Sequence, residues 1–126
     1  MRRRILIVED DPAICDAYRL ALEQEGYEVA VAEHGGAALA KLRDGAPLPH
    51  LILLDLMMPV MNGWEFLEAR RADRTLRVVP VVALTCGSGT APVEEADATL
   101  DKPMDLSELT TLVRKYCAGA VERPGN

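Results

Sequence analysis

The chain has 126 residues, of which 49% are apolar and 27% charged. That is length and apolar content enough for one folded domain without disulfide or metal staples, and it excludes a disordered chain. The net charge of −6 argues against nucleic-acid binding by the domain as a whole.

In chain order, apolar runs alternate with helical patterns. Ile5–Val8 reads as the first strand. Asp10-Asp11-Pro12 then supplies a helix cap and a first-turn proline, and Ile14, Ala17, Tyr18, Ala21 and Leu22 mark one face of a helix that Gly26 ends. A second strand is expected over Glu28–Ala32 and a second helix over Ala37–Arg43, stopped by Asp44-Gly45. Leu51–Leu54 reads as the third strand, residues from about Gly63 to Ala72 as the third helix, and Val79–Leu84 as the fourth strand. Ala98–Leu100 is a weaker fifth strand. The last helix starts at Asp105, with Glu108 in a capping-box position and Leu106, Leu109, Val113, Tyr116 and Cys117 on its buried stripe. The domain is expected over residues 1–117, with 118–126 as a frayed tail.

Strand–helix alternation with near-continuous apolar strands means a parallel sheet covered on both faces, an open doubly wound α/β domain with about five helices. No apolar run reaches the roughly 18–20 residues that span a bilayer. The basic start Arg2-Arg3-Arg4 is followed by too short an apolar run for a signal peptide. A cytoplasmic protein without membrane contact is expected. Cys15, Cys86 and Cys117 are widely spaced, with no CxxC, so they read as reduced thiols; Cys86 is expected to be the one near the chemistry. Arg2-Arg3-Arg4 reads as a solvated terminus, and Arg70, Arg71, Arg74 and Arg77 as a solvated helix face.

In folds of this kind functional residues gather beyond the carboxyl ends of the strands. Glu9, Asp10 and Asp11 follow the first strand, Asp55 the third, Thr85 the fourth, and Lys102 the fifth. Taken singly, each has an ordinary reading as a cap, a turn or a solvated side chain. Their joint placement is what carries chemistry. Carboxylates that converge within a few Å need a cation or raised pKa values. Oxygen-only ligands suit Mg²⁺ before Zn²⁺. A lysine opposite the metal and a threonine hydroxyl between them complete a cradle for a phosphoryl group, and a carboxylate is a group that can carry one.

The strings Ile5-Leu6-Ile7-Val8-Glu9-Asp10-Asp11-Pro12 and Leu53-Leu54-Asp55-Leu56-Met57-Met58-Pro59-Val60-Met61-Asn62-Gly63, with Ala83-Leu84-Thr85 and Lys102-Pro103 in matching order, resemble a response-regulator receiver domain over about residues 3–117. The resemblance implies a CheY-like, flavodoxin-like sheet in the order 2-1-3-4-5. It implies that Asp55 accepts a phosphoryl group from a phosphohistidine of a sensor histidine kinase or phosphotransfer protein. Asp10 would bind Mg²⁺ directly and Glu9 through water, Met57 would offer its backbone carbonyl, and Asp11 is either the helix cap or a further ligand. Thr85 would bond a phosphoryl oxygen and Lys102 would pair with the phosphate, ahead of a cis Lys102–Pro103 peptide. Such a protein is a switch acting on a downstream partner, not an enzyme, although it assists its own phosphotransfer and slow dephosphorylation.

Two departures lie in the switch half. Thr99 stands where the family usually has Tyr or Phe. The stretch from Thr85 to Lys102 is short, with Gly87, Gly89 and Pro92, so the fourth helix is expected to be stunted, mobile or missing, and phosphorylation is expected to order Gly87–Asp97. The chain reads as a stand-alone receiver or one excised from a longer regulator. Three rivals are a phosphorylation-independent docking module of the same fold, an aspartyl-phosphate phosphatase and a flavin binder. The intact Asp55 and Lys102 oppose the first. Met57, where phosphatases place a second acid, opposes the second. The acidic loop after strand one opposes the third.

Overall fold

The computed structural model describes residues 3–56, 62–86, 96–102 and 105–121. Five strands, β1 (Arg4–Val8), β2 (Glu28–Ala32), β3 (Leu51–Asp55), β4 (Val81–Cys86) and β5 (Ala98–Lys102), form one sheet in the order β2-β1-β3-β4-β5. Every neighbouring pair is parallel. Four helices, α1 (Pro12–Gln24), α2 (Gly35–Leu42), α3 (Gly63–Ala72) and α4 (Leu106–Val121), and a single 3₁₀ turn at Leu76–Val78 complete the described elements. The stretch Gly87–Asp97, where a stunted, mobile or missing helix is expected, falls largely outside the described residues.

The two-residue period of the strands divides the core in two. Leu6, Val8, Ile52, Leu54, Val81 and Ala83 pack with Ala38, Leu39 and Leu42 of α2 and Phe66 and Leu67 of α3. Their neighbours Ile5, Ile7, Leu51, Leu53, Val82 and Leu84 pack on the other face with Cys15, Tyr18 and Leu22 of α1 and Leu109, Val113 and Cys117 of α4. Because both faces of the central strands are covered, their sequence is apolar at every position rather than alternating.

The helix starts follow from local hydrogen bonding. The Asp11 carboxylate accepts from the N–H groups of Ala13 (2.9 Å) and Ile14 (3.4 Å), with Pro12 in the first turn. His34 caps α2 through Nδ1, which accepts from the Ala37 N–H at 3.1 Å, so the helix begins two residues before the expected Ala37. Asn62 and Glu65 form a reciprocal capping box on α3. At the other end of the chain, α4 continues to Val121, four residues past Cys117.

Five further sequence expectations are corrected. β4 begins at Val81, not Val79, because Pro80 has no N–H to give a ladder; its carbonyl accepts from Ile52 instead. Asp55, Thr85 and Lys102 therefore lie within the last residues of their strands and not after them. Ala17, placed on the buried stripe of α1, is exposed, while Cys15 is buried. Arg70 does not belong to a solvated face. It is 7% exposed, and its guanidinium donates to the Val79 carbonyl from Nε (3.1 Å) and Nη2 (2.6 Å) and to the Arg77 carbonyl (3.1 Å). Asp97 approaches it at 3.7 Å and also accepts from the Val81 N–H at 2.8 Å, tying the start of β4 to α3. Nor is the Arg4 side chain solvated: it is half-buried and donates to the Leu48 carbonyl at 3.1 Å.

Candidate functional site

The register of the central strands fixes which residues meet at the carboxyl edge. Val8 pairs with Leu54, and Asp55 pairs with Leu84. Glu9 thus emerges from β1 beside Asp55, and Thr85 follows Leu84 on the next strand. On β4 and β5, Thr85 pairs with Asp101 and Cys86 with Lys102, so the backbone of Lys102 also ends at this edge.

Carboxylate oxygens of Glu9, Asp10 and Asp55 all lie within 4.8 Å of one another. Glu9 and Asp55 are each 3% exposed, whereas Asp10 faces solvent. Two buried carboxylates at that separation repel by about 3 kcal/mol at an effective dielectric near 20. An all-oxygen, triply acidic donor set fits a hard divalent cation, and a cation there removes the repulsion. Among the described residues this is the one group of three or more metal-capable side chains.

Asp11, the open alternative as a ligand, is otherwise engaged. Its side chain caps α1, and its backbone N–H donates to Glu9 Oε2 at 3.3 Å. Glu9 is further held by its own N–H, which donates to the Ala32 carbonyl at 3.1 Å and extends the β1–β2 ladder by one residue. Thr85 is 4% exposed, and its hydroxyl donates to the Leu100 carbonyl at 3.5 Å, the long end of hydrogen bonding. Thr99, at the position of the family's usual aromatic, is half-buried in β5 opposite Ala83. Met57, Pro103, and the side chains of Lys102 and Cys86 lie outside the described residues.

Two residues of the site escaped the sequence reading. Gly63 opens α3 directly behind the end of β3. A Cβ there would fall 2.5 Å from Leu56 Cα and 2.9 Å from the Asp55 carbonyl oxygen, so only glycine allows this approach. Its N–H donates to the Leu56 carbonyl at 3.1 Å, and Leu56 in turn donates to Leu84. The second is Cys15, whose thiol donates to the Glu9 carbonyl at 3.3 Å. Cys15 therefore borders the acidic cluster, a place the sequence reading gave to Cys86 alone. Burial, and then the charges of Glu9, Asp16, Asp11 and Asp10, push its pKa up to about 11, which keeps it a protonated donor near neutral pH.

Residues 5–114 match the response regulator receiver domain family. The DNA-binding response regulator MtrA of Mycolicibacterium smegmatis is 40% identical over 119 residues, covering 90% of this chain and 50% of that protein. The chain thus spans about half the length of that relative. Among solved structures, chemotaxis response regulator CheY4 of Vibrio cholerae superposes with a TM-score of 0.83 at 29% identity, over 92% of this chain and 99% of that one. The receiver domain of a signal transduction histidine kinase from Syntrophus aciditrophicus gives 0.84 at 26% identity, over 98% and 96%. A match along that much of the chain, on the fold of those receivers, makes this protein a member of the response regulator receiver domain family of two-component signalling.

Proposed function

We propose that Asp55 is the phospho-acceptor of this receiver and that Glu9, Asp10 and Asp55 hold Mg²⁺ together with the backbone carbonyl of Met57. The observation that carries the reading is the convergence of the three carboxylates at the carboxyl edge of β1 and β3, with Thr85 on the adjoining strand. Bound Mg²⁺ would supply charge neutralisation for the carboxylates and for the transferring group. The chain's own residues position the reaction. An Asp55 carboxylate oxygen attacks the phosphorus of a phosphohistidine on a sensor kinase or phosphotransfer protein. The P–N bond breaks, the electron pair leaves with the imidazole, and the acyl phosphate remains on Asp55. Lys102 pairs with the phosphoryl oxygens. Thr85 exchanges its long bond to Leu100 for one to a phosphoryl oxygen, which shifts the end of β4. The Lys102–Pro103 peptide is cis in this reading.

The phosphorylated domain signals to a downstream protein, as a stand-alone receiver or as part of a longer regulator, in the cytoplasm. The described residues include no helix long and apolar enough to cross a membrane. Direct nucleic-acid contact is not assigned to this domain, given its charge of −6. Slow hydrolysis of the acyl phosphate at the same site resets it.

Intact-mass analysis after incubation with acetyl phosphate tests the assignment. One phosphoryl group should add to the wild type in the presence of Mg²⁺, and none to Asp55→Ala. Equal labelling of the variant would move the acceptor elsewhere. No labelling of either protein would favour a docking module that keeps the residues without the chemistry.

A further inference from the structure

Asp10 carries no hydrogen bond or ion pair from its side chain among the described residues, yet it must converge with two other carboxylates that repel it. Its direction is therefore set by its backbone. The peptide that joins Glu9 to Asp10 has one carbonyl, that of Glu9, and the Cys15 thiol donates to it at 3.3 Å. Cys15 lies in the first turn and a half of α1, is 6% exposed, and packs with Tyr18, Leu22 and the β1 residues Ile5 and Ile7. The contact thus ties the loop after β1 to a side chain with little freedom to move.

We propose that Cys15 is a positioning residue for the acidic pair: its thiol fixes the plane of the Glu9–Asp10 peptide and so aims the Asp10 carboxylate at the cation site shared with Glu9 and Asp55. The inference rests on the reading of these three residues as the Mg²⁺ site. It differs from an ordinary packing role because the donor acts on the chain between two ligands, not on the core. The other cysteine with a described side chain supplies the comparison. Cys117 is just as buried, belongs to the same apolar cluster, and sits on α4 with no hydrogen bond to the acidic residues.

The test is Mg²⁺ titration by calorimetry on the wild type, Cys15→Ala, Cys15→Val, Cys15→Ser and Cys117→Ala, with thermal melts alongside. Loss of one neutral hydrogen bond predicts Mg²⁺ affinity weakened by about fivefold in Cys15→Ala. Cys15→Val keeps apolar volume without a donor, and should show the same loss even if the alanine variant folds poorly. Cys15→Ser keeps a hydroxyl donor and should stay within about twofold of wild type. Cys117→Ala should lose stability but not Mg²⁺ affinity. In acetyl phosphate labelling, the Mg²⁺ concentration needed for half-maximal rate should rise in the two donorless variants while the rate at saturating Mg²⁺ is kept. Unchanged affinity in Cys15→Ala and Cys15→Val, or an equal loss in Cys117→Ala, overturns the proposal and leaves the site reading intact. Failure of the wild type to bind Mg²⁺ at all overturns both.

Discussion

Replacing Gly63 by alanine tests how the helix behind β3 sets the site. The added Cβ would lie 2.5 Å from Leu56 Cα, 2.7 Å from Leu56 Cδ2 and 2.9 Å from the Asp55 carbonyl oxygen. The side-chain contact can relax by rotation, but the two backbone contacts cannot. Restoring ordinary separation requires the first turn of α3 and the end of β3 to part by about 1 Å, which loosens the Gly63–Leu56 hydrogen bond and the packing of Phe66 and Leu67, both fully buried. Overpacking of this kind costs about 1–3 kcal/mol, and a clash against backbone belongs at the upper end. In a domain of this size that is a fall in Tm of about 8–12 °C. Gly36→Ala is the comparison: its Cβ meets only the His34 ring at 3.2 Å, and the helix-propensity gain of alanine offsets most of that contact, leaving it within about 0.5 kcal/mol of wild type. Urea and thermal unfolding followed by circular dichroism give both values, and acetyl phosphate labelling of Gly63→Ala should slow because the Asp55 backbone has moved. A Gly63→Ala protein that melts within about 2 °C of wild type and labels at the wild-type rate would refute the argument.

Asp10 and Asp11 should separate cleanly. Asp11→Ala removes the α1 cap and about 1 kcal/mol of stability, but keeps the backbone N–H to Glu9, so calorimetry should find Mg²⁺ affinity little changed. Asp10→Asn should raise Tm in metal-free buffer by relieving carboxylate repulsion, and Mg²⁺ should then no longer shift the melt. Arg70→Met keeps the buried stem but strips the donors from the Val79 and Arg77 carbonyls; a loss of about 2–4 kcal/mol is expected from urea unfolding at unchanged m. His50 titrates below its ordinary value of 6.5, held down by burial and by Arg4 and Arg3, while its Nδ1 accepts from the Arg4 N–H at 2.9 Å. The unfolded chain then binds the proton more readily, so stability should fall as pH drops below 6.5 towards the folded value. Melts of His50→Gln should lack that component.

The sheet edge was legible because parallel topology leaves little choice. Once Ile5–Val8, Leu51–Leu54 and the run ending at Leu84 are strands in one sheet, whatever follows them must share one edge, and Glu9, Asp10, Asp55 and Thr85 do. The Asp11 cap was legible for a similar reason, since Pro12 in a first helical turn makes the residue before it the cap. Strand ends were read short by a residue or two because Asp, Thr and Lys look like punctuation, although backbone pairing is indifferent to a polar side chain at the rim.

What the sequence hid is the inward direction of residues whose type points outward. The buried residues of α3 are Gly63, Phe66, Leu67 and Arg70, an i, i+3, i+4, i+7 set that is the core stripe of any helix. Its last member is arginine, and the neighbours Arg71, Arg74 and Arg77 make a solvated face the obvious reading. Position outranks type here because Arg70 finds carbonyls at the bend before β4, where Pro80 gives the sheet no donor of its own. Cys15 follows the same logic in reverse. Cys15, Tyr18 and Leu22 form the buried stripe of α1, on which the sequence reading had Ala17 and not the cysteine. Its hydrogen bond to Glu9 depends on how closely α1 folds back on the end of β1, and that distance belongs to the tertiary structure alone. The acidic site is thus written at the strand ends, while the groups that hold it in shape lie one helical turn behind.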